Sequence, residues 1–440
     1  MRQRRKRRKH RVLNLWLLVF SLAGLVFIGW SAGWDRIFTE PAALNGSHHS
    51  SPPAAGSPQA SSDSAQTAGS SPSGLPGSSA SPNPASPVPT PRSEPEYRTA
   101  VWMAVGDVMM HTPELPGAYD RKQKRYNFDP YFEQVKPILG QGDWVLANLE
   151  TPVAGKQYGY NGYPNFNAPD ELLEALQHSG FNVLTFANNH MLDQGEQGLL
   201  NTVEQIKHYG FATKGAAASQ EESDQAVIVE QNGIKMGLLA YTYGTNGHQI
   251  TSGRSYLASY INEAKMKQDI QTIRKAGADF VVVALHFGVE YETEPNEEQK
   301  RLARSLIAEG ADIVAGSHSH VLQPYEVVQT ATEDGKPREG LILYSMGNFL
   351  SNQRGDTKDY GAIFRLTVKQ NREDGSIQLD DIEAIPTWVY RYREGDFFQY
   401  RILPVEQTLA QEASKQLTDQ EYAAMQKTYD ALQTRLHEWQ

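Results

Sequence analysis

The 440-residue sequence contains no cysteine. Disulfide bonds, thiolate metal sites and cysteine nucleophiles are therefore excluded together. The fold must be held by core packing and by any metal that other side chains bind. The lack of cysteine does not exclude an extracellular location. It means only that disulfide bonds do not stabilise the fold.

Positive charge is scarce beyond the first eleven residues. Residues 1–11 contain eight Lys or Arg and no acid, which leaves 33 basic and 51 acidic residues in the rest of the chain, a net charge of −18. Nucleic-acid binding needs a basic face for the phosphate backbone. The acidic body therefore predicts no nucleic-acid partner.

Large side chains are nearly absent between about residues 45 and 96, where Ser, Pro, Ala and Gly dominate. Such a composition cannot bury enough apolar surface to offset the entropy of ordering the chain. Residues 31–96 are therefore predicted to be a disordered linker, which would hold a folded domain away from a membrane.

Charge is also absent from residues 12–30, a run of nineteen mostly apolar residues. That length spans the hydrocarbon core of a bilayer, and the basic tail at 1–11 predicts a cytoplasmic N-terminus. The sequence thus predicts a single-pass cell-membrane protein with an extracytoplasmic C-terminal domain. The alternative is a cleaved signal peptide that ends near the small residues Ser31-Ala32-Gly33.

The folded body is predicted at 97–400, followed by a helical extension at 401–440. Apolar runs of strand length alternate with amphipathic segments of 10–15 residues, for example a helix predicted at 129–139, which is typical of βαβ units. Asp170 is the predicted N-cap of a helix ending near residue 179. Asn232-Gly233 predicts a hairpin and therefore a mixed sheet. The later strands include one predicted at 377–385.

Polar side chains follow these apolar runs where each predicted strand ends. Because ligands gather beyond the carboxyl ends of strands in open α/β sheets, we expect the side chains to meet. Carboxylates, an amide and imidazoles together suit one or two divalent ions of Mn, Fe or Zn. The predicted site residues are Asp107, Glu150, Asn189, His190, His286, His318 and His320.

Each of these residues, taken alone, also has an ordinary structural interpretation. Asp107 follows a glycine as a turn residue often does, and Glu150 could be a charge that ends a strand. Asn189 suits an Asx turn. His190 and His286 could be core histidines with satisfied hydrogen bonds. The shared placement at strand ends is what favours a metal site.

The order of these motifs resembles the calcineurin-like metallophosphoesterase superfamily. More closely, it is similar to a bacterial branch of capsule-synthesis proteins, the CapA family of poly-γ-glutamate biosynthesis. The resemblance covers about residues 99–390 and implies an α/β fold of metallophosphoesterase type, a four-layer α/β sandwich with mixed sheets. The matching phrases are Val105-Gly106-Asp107-Val108-Met109, Ala147-Asn148-Leu149-Glu150-Thr151-Pro152, Phe186-Ala187-Asn188-Asn189-His190, Leu285-His286-Phe287-Gly288, Gly316-Ser317-His318-Ser319-His320 and Tyr344-Ser345-Met346-Gly347-Asn348-Phe349.

The resemblance also implies a role for each site residue. It implies Asp107 and His320 as ligands of a first metal, Glu150 as the bridging ligand, Asn189, His286 and His318 as ligands of a second metal, and His190 as a general acid or phosphate contact.

Three departures from the superfamily pattern bear on the first metal. Met109 stands where the superfamily has a histidine, and His111 is a candidate substitute ligand. Glu150 occupies the position of an aspartate, which lengthens the side chain by one methylene. Ser317 replaces a glycine in the last motif. A weakened first-metal site is therefore expected.

The leading hypothesis is a membrane-anchored protein that acts in synthesis, export or attachment of a poly-γ-glutamate capsule by metal-dependent hydrolysis or transfer. Its expected partners are poly-γ-glutamate or another anionic polymer, the subunits of a membrane synthase, and the membrane itself. Bound metal ions would supply local positive charge for an anionic polymer, which the net charge counted from the side chains does not include. The alternatives are a non-catalytic polymer-binding or scaffold subunit of the synthase, and a secreted metal-dependent phosphodiesterase.

Overall fold

The computed structural model describes residues 96–331, 335, 337–411 and 417–439. The predicted cytoplasmic tail and membrane anchor, and the predicted linker up to residue 95, lie outside the described residues. Within the described ranges, no helix is both long enough and apolar enough to cross a membrane.

The described residues form two large sheets and one small hairpin. Their strands are β1 (Tyr97–Val108), β2 (Tyr119–Asp120), β3 (Arg125–Tyr126), β4 (Trp144–Leu149), β5 (Val183–Thr185), β6 (Ala212–Lys214), β7 (Val227–Gln231), β8 (Ile234–Thr242), β9 (Phe280–His286), β10 (Ile313–Ser317), β11 (Tyr325–Ala331), β12 (Pro337–Leu343), β13 (Asn348–Leu350), β14 (Tyr360–Asn371), β15 (Ile377–Glu394) and β16 (Phe397–Pro404).

Helices connect most of the parallel strands. They are α1 (Leu115–Ala118), α2 (Asp129–Phe132), α3 (Lys136–Leu139), α4 (Glu171–His178), α5 (Gly195–His208), α6 (Gln220–Asp224), α7 (Glu263–Lys275), α8 (Glu297–Glu309), α9 (Val405–Ala410) and α10 (Asp419–Leu436), with 3-10 turns at Thr112–Glu114, Lys156–Tyr158 and Ser255–Leu257.

Both large sheets are mixed, as predicted. The first has the strand order β16-β15-β14-β1-β4-β5-β6, with β13 also pairing β1, and the second has the order β11-β12-β10-β9-β8-β7. β1, β4, β5 and β6 run parallel, as do β8, β9, β10 and β12, while antiparallel strands flank each parallel set. The predicted hairpin joins β7 to β8, and Asn232 and Gly233 take the positive φ values of 52° and 77° that its two-residue turn requires.

Successive side chains of a β-strand point to opposite faces of the sheet, so neighbouring residues lie in different layers. In β1, Trp102 belongs to the core between the two sheets, whereas Met103 belongs to the core beneath α4 and α5. In β9, Val282 lies between the sheets and Val283 lies beneath α7 and α8. The layers therefore follow the order helix, sheet, sheet, helix, which is the predicted four-layer sandwich.

The C-terminal residues complete this core. β16 runs through the predicted boundary at residue 400 and pairs with β15 along eight positions. The helix α10 buries Tyr422, Met425, Leu432 and Leu436 in the same apolar cluster as the inter-sheet core. Burial of one such side chain stabilises the fold by about 1.5–3 kcal/mol. This segment is therefore part of the domain.

Two local predictions about helices are corrected by the structure. The helix predicted at 129–139 is divided into α2 and α3, because Pro130 and Pro137 each occupy a first-turn position where no backbone N–H is needed. Asp170 precedes α4 without a side-chain bond to the backbone. Its carboxylate accepts a hydrogen bond from the Tyr209 hydroxyl at 2.9 Å instead.

The strand predicted at 377–385 continues to Glu394, although Pro386 follows the predicted end. Pro386 faces Ala362 of β14, and the Ala362 N–H donates to Met346 on the other side of that strand. Ala362 and Pro386 therefore form no hydrogen bond with each other. The Pro386 nitrogen, which carries no hydrogen, faces β16 instead. Because β16 ends at Pro404, opposite Thr387, no ladder bond is lost there.

Candidate metal centre

The predicted site residues meet where strands of the two sheets end. Asp107 is the penultimate residue of β1, Glu150 follows β4 directly, and His286 is the last residue of β9. His318 and His320 follow β10, and Asn189 and His190 lie in the turn after β5. All seven are buried, with no more than 4% of the residue surface exposed. The strand-end argument therefore places all seven side chains correctly in one region.

Glycines allow the chain segments of the site to approach closely. A Cβ at Gly106 would lie 1.9 Å from the carbonyl oxygen of Gly347, and one at Gly316 would lie 2.1 Å from that of Tyr344. Real Cβ atoms do not approach oxygen so closely, so only glycine fits at either position. These contacts pack the ends of β1 and β10 against the segment that follows β12.

The turn that carries the two terminal histidines has an unusual backbone. His318 has a φ of +100° and His320 a φ of +60°. This left-handed region is unfavourable for residues with a Cβ, and such strain persists where the surrounding structure enforces it. The strain aims both imidazoles into the same buried space, where their ring centroids lie 6.1 Å apart.

Two groups of side chains have ligand atoms close enough to hold a metal ion. One group contains Glu150, His318 and His320, and the other contains Asp107, Glu150 and His286, with all ligand atoms of a group within 4.8 Å of one another. Glu150 belongs to both groups. This is the geometry of a carboxylate that bridges two ions.

The distances within the cluster are short. Asp107 Oδ2 lies 3.0 Å from His320 Nδ1, and Glu150 Oε1 lies 3.4 Å from His286 Nε2. The second Glu150 oxygen lies 4.0 Å from His320 Nδ1. Asn189 Oδ1 lies 3.0 Å from His286 Nε2, so the predicted amide ligand also reaches the cluster.

Several buried ligand atoms have no hydrogen-bond partner in the described chain. They are both carboxylate oxygens of Glu150 and Nδ1 of His318. A buried carboxylate without a partner is strongly unfavourable. A bound cation removes that penalty, and the mixed oxygen and nitrogen donors suit a borderline divalent ion. The residues present therefore fit the predicted metal.

The charges of the carboxylates and His320 are interdependent. Burial, reinforced by the charge of Asp107, raises the pKa of Glu150 well above its ordinary value. For Asp107, burial acts in the opposite direction, but the hydrogen bond and charge of His320 lower its pKa to about 2. Burial also opposes the shift at His320, where Glu150 and Asp107 raise the pKa to about 9. Without metal, the His320 proton thus serves as the counter-charge of the cluster.

The other two imidazoles are held neutral. Burial lowers the pKa of His286 to about 3, and burial together with the neighbouring imidazoles lowers that of His318 to about 2. Neutral imidazole is the form that binds metal. Both side chains are therefore in the ligating state over the whole physiological pH range.

Two residues that sequence reasoning missed orient the ligands. Asn148 Nδ2 donates to Asp107 Oδ1 at 2.8 Å and lies 3.3 Å from His286 Nδ1. Ser317 Oγ lies 3.0 Å from the same His286 nitrogen. Such partners fix ring orientation and leave the far nitrogen for the metal. Both residues stand in sequence motifs that contain predicted ligands. Asn148 is two residues before Glu150, and Ser317 directly precedes His318. Their position next to these ligands was the sequence signal that could have identified them.

Asn348 is a third missed residue, and it lies beside the first-metal ligands. It stands opposite Asp107 in the parallel pairing of β13 with β1. Its Nδ2 donates to Gln353 Oε1 at 3.0 Å and to the Lys358 carbonyl at 2.8 Å, which turns Oδ1 towards His320 Nδ1 at 3.2 Å. The amide oxygen is thereby held next to His320, among the predicted ligands of the first metal.

His111 is not brought into either ligand group, so the proposed substitution by this residue is corrected. Its Nδ1 accepts a hydrogen bond from the Asn352 N–H at 3.2 Å, and its ring packs edge-on against Phe166 at 5.1 Å. Glu114 Oε2 accepts from the His111 backbone N–H at 2.5 Å. These contacts hold the side chain beside the cluster rather than in it.

His190 lies at the edge of the cluster with a carboxylate behind it. Its Nδ1 is 2.8 Å from Asp193 Oδ2, and its ring packs edge-on against Phe166 at 4.7 Å. Burial opposes protonation, but the Asp193 hydrogen bond and the charge of Glu150 raise the pKa of His190. Asp193 was missed in the sequence, although its i+3 spacing from His190 was visible.

Fold and site together define a four-layer α/β protein with a candidate dinuclear metal centre. The sequence profile of the family described as "Bacterial capsule synthesis protein PGA_cap" matches residues 101–353. The chain therefore belongs to this family of bacterial capsule synthesis proteins. The resemblance inferred from the motifs is confirmed.

Two relatives and one solved structure illustrate the match. The chain is 30% identical to "Capsule biosynthesis protein CapA" of Bacillus anthracis over 276 residues, 61% of this chain and 63% of that protein. It is 30% identical to "PGA biosynthesis protein CapA" of Bacillus subtilis over 277 residues, 61% of this chain and 67% of that protein. The solved calcineurin-like phosphoesterase YfkN from Bacillus subtilis is 16% identical, with a TM-score of 0.40 over 66% of this chain and 91% of that one.

Proposed function

We propose that this protein is a metal-dependent hydrolase or transferase that acts on capsular polymer of the poly-γ-glutamate class. The observation that carries the proposal is Glu150, which is shared by two ligand groups and has two buried oxygens without a partner. A purely structural polar cluster would satisfy those oxygens with donors of the protein. Divalent ions bound there would polarise a substrate oxygen and activate a water.

The ligands are divided between two positions. The proposed division is Asp107, His320 and the oxygen of Asn348 for one ion, and Asn189, His286 and His318 for the other, with Glu150 between them. The two close groups cross this division, since one pairs His318 with His320 and the other pairs Asp107 with His286, and Glu150 is common to both. Ligands from both sheets meet here, and they are held by secondary partners such as Asn148. This rigid support is what places two ions and a substrate in a reactive geometry.

His190 supplies the proton that a leaving group needs. Asp193 accepts from Nδ1 and favours the imidazolium form of His190, in which the opposite ring nitrogen also carries a proton that can be transferred. The raised pKa keeps more of the imidazole protonated near neutral pH, and Phe166 fixes the plane of the ring. A positioned general acid of this kind typically contributes a factor of about 10²–10⁴ to the rate.

Exposed tyrosines surround the buried cluster. The ring of Tyr243 is 4.6 Å from that of His318, and the ring of Tyr291 is 5.9 Å from that of His320. Nearly half of each tyrosine surface is exposed, 49% and 45% respectively. Flat side chains with a polar tip are well suited to hold the backbone of a flexible polymer at the entrance of the site.

The N-terminal sequence supports the proposed place of action. We propose that residues 12–30 anchor the protein in the cell membrane with its N-terminus in the cytoplasm, and that the domain acts outside the cell beside the subunits of the polymer synthase. The apolar run and the preceding basic residues support this orientation. The relatives named for capsule and PGA biosynthesis support the polymer class.

The test combines metal content with polymer production. Purified His190→Ala protein should retain the metal content of the wild type, whereas cells that carry this variant should lose polymer. His318→Ala with His320→Ala should lose both metal and polymer, and His208→Ala, an exposed histidine on α5, should change neither. Normal polymer in cells with His190→Ala would favour the scaffold hypothesis. Absence of metal from the wild type after Mn²⁺ or Zn²⁺ is supplied would reject the catalytic proposal.

A further inference from the structure

A cluster of positive side chains lies on the surface of this acidic protein. Arg121, Lys122 and Lys124 occupy the turn between β2 and β3, and Arg391 and Arg393 lie near the end of β15. All are exposed except Arg391, which is half-buried. We call these five residues the basic patch.

Aromatic side chains hold the two parts of the basic patch together. The Arg121 guanidinium carbon lies 5.4 Å from the centre of the Phe397 ring. Those of Arg391 and Arg393 lie 4.5 Å and 5.5 Å from the Phe398 ring. A guanidinium that rests on an aromatic face loses little rotational freedom when its N–H edges bind a carboxylate.

The chain also ties these two regions together through the backbone. Gln399 Nε2 donates to the Gly117 carbonyl at 3.2 Å, and a Cβ at Gly117 would lie 2.0 Å from the Phe398 carbonyl oxygen. The hairpin of β2 and β3 follows α1 directly, so its basic turn is fixed beside the start of β16. The patch is therefore a built surface and not two independent loops.

None of the five cations forms an ion pair with a carboxylate of the described chain. Other exposed arginines of the domain do form such pairs, for example Arg301 with Glu298. Three acidic residues stand close to the patch residues in the sequence. Asp120 accepts from the backbone N–H groups of the turn, and Glu394 and Asp396 lie at the tip of the β15–β16 hairpin. The cations remain in excess and available.

Contacts lead from the basic patch to the metal centre. Arg391 donates to Asn352 Oδ1 at 2.9 Å, and the Asn352 N–H donates to His111 Nδ1. The His111 ring packs on Phe166, which packs on His190. These contacts tie the basic patch to the segments that carry the metal centre.

We propose that the basic patch binds an acidic polypeptide of the poly-glutamate class beside the metal centre. The inference rests on the proposed function, since it assigns a docking surface to the substrate class of that site. Arg391 and Arg393 point from the same face of one strand, about 7 Å apart, and can engage successive side carboxylates of one polymer chain. The matched partner of a local basic surface is a polyanion, even on a protein with net negative charge.

The test measures binding of fluorescently labelled poly-γ-glutamate to the full-length protein by anisotropy. The variant Arg121→Glu, Lys124→Glu, Arg393→Glu reverses three exposed charges of the patch. The control Lys235→Glu, Lys275→Glu, Lys427→Glu makes the same change in net charge at exposed lysines elsewhere, which also lack ion pairs. We expect the patch variant to bind at least about tenfold more weakly, because several surface charge contacts reverse together. The control should stay within about twofold of the wild type.

Two results would overturn the proposal. Equal binding by the two variants would show that net charge alone, or another surface, decides affinity. Patch-dependent binding to phosphatidylglycerol vesicles, without binding to the polymer, would show that the surface contacts a membrane. Metal content of the patch variant is measured in parallel and should equal that of the wild type. A failure of the patch is thereby distinguished from a failure of the metal centre.

Discussion

The side-chain oxygen of Asn348 lies 3.2 Å from Nδ1 of His320, at the point where β13 runs beside β1. In the proposed site, this oxygen is the ligand that compensates for Met109. Asn348→Ala should weaken the binding of one ion about tenfold to a hundredfold, the range found when the support of a metal site is removed. Asn348→Asp keeps an oxygen at the position and should retain the ion.

Calorimetric titration of chelator-treated protein with Mn²⁺ or Zn²⁺ would measure this effect. Gln353→Ala removes one of the two acceptors that orient Asn348 and should weaken binding less than Asn348→Ala. Binding of both ions by Asn348→Ala with wild-type affinity would exclude the residue as a ligand.

Glu150→Gln should change stability in opposite directions with and without metal. Folding raises the pKa of Glu150, so in chelator the stability of the wild type falls as the pH rises above the unfolded value of 4.5. The glutamine has no such charge and can donate to Asp107, so the Tm of the variant in chelator at pH 7 should equal or exceed that of the wild type.

Metal reverses this order, because an ion bound only by the folded state stabilises it by about 2.7 kcal/mol at a concentration of 100 Kd. The wild type should gain this stabilisation in full and Glu150→Gln only in part. Thermal unfolding in EDTA and in excess Mn²⁺ provides the comparison. A variant that is less stable in both conditions would mean that the Glu150 carboxylate stabilises the fold without metal, through its charge beside His320.

Asp193→Asn should lower the pKa of His190. The Asp193 carboxylate opposes the effect of burial and raises this pKa, so its removal leaves burial dominant. A raised histidine pKa stabilises the fold at low pH, and this stabilisation is lost as the pH rises through the folded pKa; the variant should lack that dependence.

NMR titration of the His190 ring nitrogens in chelator would measure the change. Asp170→Asn, whose carboxylate bonds Tyr209 instead, is the matched control and should leave the His190 titration unchanged. An unchanged pKa in Asp193→Asn would remove Asp193 from the proton-transfer role.

Leu432→Ala should destabilise the whole domain by about 2–5 kcal/mol, because the side chain is fully buried in the inter-sheet core and its removal leaves a cavity. Lys427→Ala changes an exposed position of the same helix and should remain within about 0.5 kcal/mol of the wild type. Urea denaturation distinguishes the two. A small effect of Leu432→Ala would mean that α10 is a separate extension, as the sequence predicted.

The parts of the fold that follow from local pattern could be predicted. Short apolar runs identified the strands, and their carboxyl ends located Glu150, His286 and His318 in one place, because parallel strands present those ends at one edge. Asn232-Gly233 identified the hairpin for a similar reason, since few residues tolerate positive φ twice in succession.

The remaining features depend on contacts between distant segments. Nothing near Pro386 in the sequence shows that its missing N–H faces the end of another strand, so the strand was predicted to stop there. Asn348 lies 241 residues from Asp107, and only the pairing of β13 with β1 brings it to the ligands. His111 was the nearer substitute in sequence, but Phe166 and Asn352 hold it aside.

The left-handed backbone of His318 and His320 has different consequences at the two positions. Glycine at His318 would relax the backbone of the metal-free protein and remove a neutral ligand, whereas glycine at His320 would also remove the positive charge that balances the buried carboxylates. A screen for heat tolerance in the absence of metal should therefore favour His318→Gly over His320→Gly. A screen for metal retention should discard both variants, so the two screens together would separate the backbone cost of this turn from its role in binding an ion.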